Sequence, residues 1–363
     1  MVKKRKIFIQ WDSTNNCNLK CSHCYHNREG EEHATHNQGK DLMSLEEVVS
    51  MIDDLNNTSK RWKMLPRFQI SGGEPLMRED LPAILEYTKK LGIETRILTN
   101  GTLITHKKAN ELYRLGVRRL QISIDGSRKR HNLIRGRDFA YDLAIRGVKN
   151  CAQNKIDVTI SMTALQSNKD DFDDVIKNAI RAGAKYVGTQ SYVPSLELGI
   201  NDPEFLDCRA LYELNKKTRE LEKKYGNEIK ILQTEVLWHL MQWDTKRKKE
   251  ARNKDMFLSG CGAGWSGLSV LSDGTVYPCR RLPIPIGNIK EGFSSLMVNN
   301  PILQDLRDFD KMRKNADGCI HIPYCRGCRA IAYATTGDYL AKDPMCYEKL
   351  VKPEDIQPRV IRR

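Results

Sequence analysis

Cys17-Asn18-Leu19-Lys20-Cys21-Ser22-His23-Cys24-Tyr25 is the stretch that decides how the chain is read. Three thiolates separated by three and then two residues can wrap a loop around a [4Fe–4S] cube and leave one iron without a protein ligand. An iron with an open position can bind and activate a small molecule, as an open position does on catalytic zinc. A structural zinc site is the alternative, with His23 or His26 as fourth donor. Spacing alone leaves both open.

The rest of the chain narrows the setting. It has 363 residues, 40% hydrophobic and 29% charged, enough for a large domain with a smaller one attached. No run reaches the roughly 18 consecutive apolar residues of a membrane span. The basic start, Met1-Val2-Lys3-Lys4-Arg5-Lys6, turns polar too soon for a signal peptide. A cytoplasmic protein is expected, where disulfides are rare. Eleven cysteines then need another purpose, and they cluster: three in Cys17–Cys24, six from Cys261 to Cys346, with Cys151 and Cys208 alone. Clustering of this kind points to metal or iron–sulfur ligation, and the two isolated thiols read as small packing residues. The net charge of +14 and runs such as Lys246-Arg247-Lys248-Lys249 and Arg362-Arg363 come without interleaved aromatics. A solvated basic surface or a channel for an acidic substrate is expected, not nucleic-acid binding.

Short β-rich runs alternate with helical patterns up to about residue 194. Strands are expected at Lys6–Asp12, Arg67–Ser71, Glu94–Thr99, Arg119–Asp125, Asp157–Thr163 and Tyr186–Val193. Amphipathic helices are expected at Ser44–Leu55, Asp80–Leu91, His106–Leu115 and Asp170–Ala182, with Ser44 and Glu47 forming a capping box. Six βα units give an α/β fold, a partial (β/α)6 TIM-like barrel with its site at the C-terminal strand ends. The expected divisions are a core over 1–200, a helical bridge over 201–255 (with a helix at Asp207–Tyr225), a cysteine-rich domain over 256–348 and a tail over 349–363. The polar run Lys246–Lys254 marks the boundary. Beyond it helix signals fade, and metal clusters are expected to hold the small domain together for want of an apolar core.

The Cys-x3-Cys-x2-Cys spacing followed by aromatic Tyr25 resembles the radical S-adenosylmethionine superfamily. The likeness continues in Ser71-Gly72-Gly73-Glu74-Pro75 after the second strand, Asn100-Gly101 after the third, and Ser123-Ile124-Asp125-Gly126 with His131-Asn132-Leu133-Ile134-Arg135-Gly136 after the fourth. Each alone reads as a turn; together, in order and at strand ends, they carry weight. The resemblance implies that Cys17, Cys21 and Cys24 hold the cluster. It also implies that Tyr25, Gly72, Gly73, Glu74, Asn100, Ser123, Asp125 and Arg135 line the S-adenosylmethionine site, with Gln190 on the adenine side. The Glu74 carboxylate and amides bared by the glycines would take the amino acid end. The implied chemistry is one-electron cleavage of the sulfonium, giving methionine and a 5′-deoxyadenosyl radical that removes a hydrogen atom from substrate.

Between Cys261 and Cys279 the Asp273-Gly274 step signals a hairpin that brings the two cysteines together. With Cys319-x5-Cys325-x2-Cys328 and Cys346, this resembles the SPASM (twitch-like) extension of radical enzymes that mature peptides. The resemblance implies one or two auxiliary [4Fe–4S] clusters, with Cys261, Cys279 and Cys328 on one and Cys319, Cys325 and Cys346 on the other. Ala316 stands where the extension has another cysteine, and the further ligand usual near Cys261 does not precede it here, so each set is one ligand short; Asp317 or substrate is a candidate to fill one position. Sulfatase maturases of this group carry an acidic base after the hairpin's second cysteine, where this chain has Arg280 and Arg281. Arginine is no base near neutral pH, so that activity is not expected. Either arginine would instead bind a substrate carboxylate or raise a cluster's potential.

The expected function is oxidative modification of a ribosomally made peptide: a thioether, a carbon–carbon crosslink or a decarboxylation. Dehydrogenation or epimerisation of a sugar or other small molecule is the alternative. Only sixteen residues precede Cys17, so a separate peptide-recognition protein is expected, with flavodoxin or ferredoxin as reductant. Cys208 and Tyr192 are unranked candidates for returning a hydrogen to substrate.

Overall fold

A computed structural model describes residues 5–26, 42–242, 260–315, 318–319, 321–322 and 324–356. Met1–Lys4, Lys246–Lys254, Ala316, Asp317 and Arg362–Arg363 lie outside them. The sheet is parallel over β1 (Lys6–Asp12), β2 (Leu65–Ser71), β3 (Glu94–Thr99), β4 (Arg119–Ser123), β5 (Asp157–Ala164), β6 (Tyr186–Ser191) and β7 (Lys230–Leu232). Intervening helices are α1 (Leu45–Arg61), α2 (Leu81–Lys90), α3 (His106–Arg114), α4 (Arg128–Arg135), α5 (Ala140–Gln153), α6 (Phe172–Ala182) and α7 (Cys208–Tyr225). This is the α/β partial barrel the sequence implied. Two strand predictions match to the residue, and the Ser44–Glu47 capping box starts α1.

Four features depart from expectation. Two helices, α4 and α5, fill the interval between β4 and β5, which carries the His131–Gly136 motif and is not among the predicted helices. A seventh parallel strand, β7, follows α7. The cysteine-rich segment joins the main sheet: β8 (Gly267–Val270) pairs parallel with β1, and β9 (Val276–Tyr277) closes the order β7-β6-β5-β4-β3-β2-β1-β8-β9. Gly267 permits that pairing, because a Cβ there would fall 2.2 Å from the Phe8 carbonyl oxygen. The same segment also carries helices Phe293–Asn299, Pro301–Asp305, Phe309–Asn315 and Arg329–Thr336. Their buried Phe293, Leu296, Leu303 and Ile331 belong to the core that holds Ile9 and Phe68. The expected lack of apolar core is therefore corrected: this segment packs on the sheet in its own right.

A parallel sheet covered on both faces reads as apolar throughout. Here one face alone does. Ile7, Ile9, Trp11, Phe68, Ile70, Leu120 and Ile122 are buried, while the alternate positions Gln10, Gln69, Gln121, Ser123, Ser161 and Thr163 line an internal cavity. A polar inner face at the strand ends marks a site for a polar ligand. Among the described residues no helix is long and apolar enough to cross a membrane.

Candidate active site

The loop carrying the first three cysteines leaves β1 and is pinned from two sides. On one side the Ser13 amide donates to the Ser71 carbonyl (2.8 Å), the Gly73 amide to Thr14 (2.6 Å) and the Glu74 amide to Asn16 (2.8 Å). Such closeness needs glycine: a Cβ on Gly73 would lie 2.2 Å from the Asn16 oxygen, and one on Gly72 2.5 Å from that of Thr14. Gly72 also sits at φ 126°, where side chains are strained. Arg78, which the sequence reading passed over, lies 4.7 Å from the Trp11 ring centroid and donates to the Ser13 carbonyl (2.8 Å).

On the other side α4 docks against the loop. The Ser22 amide donates to the Ile134 carbonyl (2.8 Å), and Arg135 Nη1 lies 3.5 Å from Cys21 Sγ. Arg135 is anchored by Asp125, 2.5 Å away, and His23 Nε2 is 3.5 Å from the same carboxylate. Asn100 Nδ2 donates to Asn18 Oδ1 (2.9 Å) and reaches Cys17 Sγ at 3.9 Å. Donors on sulfur stabilise thiolates and tune a cluster. Burial pushes the Cys17 thiol up to about 11 and raises that of Cys24; iron would bind both as thiolates.

All three cysteines line one cavity of about 350 Å³, as do Tyr25, Gly72, Gly73, Asn100, Ser123, Arg135 and Gln190. The Tyr25 hydroxyl is buried with no hydrogen-bond partner among the described residues. Three thiols with cationic and amide donors, facing a polar cavity that holds an unsatisfied hydroxyl, fit an iron–sulfur cluster carrying a polar ligand.

Glu74 and Asp125 are corrections. Neither lines the cavity, and both are fully buried. Glu74 Oε1 accepts from Thr99 Oγ1 (2.7 Å) and the Leu76 amide (3.1 Å), and Oε2 accepts from the Asn100 amide (2.9 Å). The carboxylate ties the end of β3 to the glycine turn and is spent there. The Gly73 and Glu74 amides, expected to be bared, serve the cysteine loop instead. Burial raises the Glu74 pKa despite those hydrogen bonds. Burial would raise Asp125 too, but the Arg135 and His23 charges hold it below the usual carboxylate range. Glu74→Gln must aim an NH2 group at a donor and leave a buried group unpaired, which costs about 1–3 kcal/mol. Denaturant unfolding of the iron-loaded protein checks this; a ligand-binding role would instead leave stability unchanged.

Both arginines after Cys279 line this cavity, each with its own partners. Arg280 enters the cavity, 4.4 Å from the Tyr25 ring centroid, and donates to the Gln10 amide oxygen, 2.6 Å from Nη1 when that oxygen faces it. Arg281 donates to the Ser191 carbonyl (2.9 Å) and feels the sulfurs of Cys328, Cys279 and Cys261. Cys261 in turn influences both Cys279 and Cys328. Cys319, Cys325 and Cys346 line a second cavity of about 370 Å³. Cys151 is buried in the core, Cys208 starts α7, and Tyr192 lines the first cavity and donates to Asp202 (2.9 Å). Gln10, Gln69, Gln121, Ser161 and Thr163 also line it and were not anticipated; His26, the candidate zinc donor, lines it too. The signal for several of them was present, as polar residues alternating with Ile and Phe along the predicted strands.

Comparison with known proteins agrees. The chain is 29% identical over 346 residues to the AdoMet-dependent heme synthase of Methanosarcina barkeri, covering 93% of this chain and 95% of that one. It is 25% identical to the subtilosin biosynthesis protein AlbA of Bacillus subtilis, over 89% of this chain and 67% of AlbA. The solved structure of anSMEcpe with bound AdoMet shares the fold at a TM-score of 0.72, with 19% identity and 95% of each chain covered. Residues 11–179 match the radical SAM superfamily and residues 261–329 the SPASM iron–sulfur cluster-binding domain. The chain belongs to the radical S-adenosylmethionine enzymes that carry a SPASM domain, binding S-adenosylmethionine on a [4Fe–4S] cluster together with auxiliary iron–sulfur centres.

Proposed function

We propose that this enzyme oxidatively decarboxylates a carboxylate side chain of a tetrapyrrole. The observation that carries the reading is Arg280, a cation inside the S-adenosylmethionine cavity where maturases with an acidic base have a carboxylate. It is supported by the near full-length likeness to a heme synthase. In this reading Cys17, Cys21 and Cys24 hold the catalytic cluster. Cys261, Cys279 and Cys328 hold one auxiliary cluster, and Cys319, Cys325 and Cys346 the other. The bound cofactors supply a hydrogen-abstracting radical and a one-electron sink. Loss of a hydrogen atom and CO2 from –CH2–CH2–COO⁻ leaves a vinyl group and one electron. Arg280 orients the carboxylate through charge-assisted hydrogen bonds, stiffened by Gln10 and the Tyr25 ring. The Arg281 charge favours electron arrival at the nearby sulfurs. A reducing cytoplasm, with flavodoxin or ferredoxin as donor, suits eleven free thiols.

Anaerobic incubation with an iron porphyrin bearing propionates, followed by mass spectrometry, tests the reading. Loss of CO2 and two-electron-oxidised side chains support it; an unchanged porphyrin, with a genome-neighbour peptide modified instead, refutes it. That second outcome is the peptide reading, which the likeness to AlbA favours. Hydrogen bonds to charged groups contribute about 1.5–3 kcal/mol, so Arg280→Gln is expected to weaken porphyrin binding about 10- to 100-fold. Fluorescence or absorbance titration measures it.

A further inference from the structure

The second cysteine cavity contains more than thiols. Cys319, Cys325 and Cys346 share its wall with His321, Asp343 and Glu348. Three thiolates leave one iron of a four-iron cube without a cysteine, and imidazole is an established iron donor. The His321 side chain is 9% exposed, and its Nε2 lies 2.7 Å from Glu348 Oε1. A carboxylate on one ring nitrogen keeps the proton there and turns the lone pair of the other toward a metal. The His321 carbonyl accepts the amides of Tyr324 and Cys325, each at 2.8 Å, so the imidazole and the Cys325 thiol spring from one turn. Asp343 is the rival donor in this wall, but its oxygens are engaged. Oδ2 accepts from the Cys328 amide (2.7 Å) and Oδ1 from the Met345 amide (2.9 Å).

We propose that His321, through Nδ1 and with Nε2 held by Glu348, is the fourth protein ligand of the cluster bound by Cys319, Cys325 and Cys346. The inference rests on the assignment of a cluster to that triad. Neutral imidazole in place of a thiolate makes the centre less negative and raises its potential. It also fills the last iron position, so this cluster moves electrons and does not bind substrate.

The test uses the full-length protein, reconstituted anaerobically and reduced without S-adenosylmethionine, with histidine labelled by 15N. Pulsed electron paramagnetic resonance should show a directly coordinated nitrogen on an auxiliary cluster that changes isotope with the label and vanishes in His321→Ala. His321→Cys should keep the iron and lower that cluster's potential, which serves if the alanine variant does not fold. Absence of a histidine-derived coupling, or its survival in either variant, overturns the inference while leaving the cluster in place. Unchanged iron content in Cys346→Ala would remove the cluster from the triad, and the assignment beneath the inference falls with it.

Discussion

Gly73→Ala is expected to strip the N-terminal cluster from the protein while the auxiliary iron stays. The added methyl would sit 2.2 Å from the Asn16 carbonyl oxygen and 2.7 Å from its carbon, both backbone atoms that cannot swing aside. Asn16 immediately precedes Cys17, and the Gly73 amide holds the same loop through Thr14 at 2.6 Å. Overpacking of this sort costs about 1–3 kcal/mol. The larger effect is geometric: misplacing a reactive group by about 1 Å can cost about 100-fold in rate. Iron content per chain should fall by the share of one cluster, and S-adenosylmethionine cleavage by at least about 100-fold. Full iron loading with normal cleavage would show that the close approach of the two loops does not hold the cysteines.

Asp125→Asn is expected to produce the largest loss of stability. Asp125 is wholly enclosed and faces the Arg135 guanidinium at 2.5 Å, with Arg135 itself 8% exposed. Removing one partner of a buried pair leaves the other charge uncompensated, at about 3–5 kcal/mol. The guanidinium also lies beside Cys21, so the damage reaches the cluster loop. A second change, Arg135→Met, should recover part of the loss, because the orphaned cation then disappears; a double-mutant cycle by denaturant unfolding measures the coupling. The pH dependence has a definite sign. Asp125 is held below the ordinary carboxylate range, so its contribution is complete at neutral pH and is lost only as pH falls through that depressed value. A cost under about 1 kcal/mol would mean that the pair contributes no more than an exposed one.

Much of the architecture could be read before any coordinates. β1 and β3 begin and end where alternation and turn residues say they should, and the motifs after β2, β3 and β4 fall at strand ends. What escaped was set by distant contacts. The sequence of α4, Arg128-Lys129-Arg130-His131-Asn132-Leu133-Ile134-Arg135, has no continuous apolar stripe; its helix is fixed by docking on the cysteine loop through Ile134 and Arg135. Three-residue β7 is too short to show a period. β8 finds its partner about 260 residues upstream, a separation no local pattern encodes. At the site, residue type suggested that Glu74 and Asp125 touch the ligand. Strand alternation sorts inward from outward only within a strand, and both carboxylates lie beyond the last paired residue, where the turn turned them into the protein. Arg280 and Arg281 are adjacent and both line the first cavity, and only the folded hairpin could set one beside the Tyr25 ring and the other within reach of the auxiliary thiols.

The most direct measurement supplies reduced, reconstituted protein with S-adenosylmethionine and counts methionine and 5′-deoxyadenosine. The account predicts that both form in equal amounts, and that neither forms once Cys17, Cys21 and Cys24 are all alanine. No cleavage by the intact protein, or undiminished cleavage by the triple variant, would contradict it.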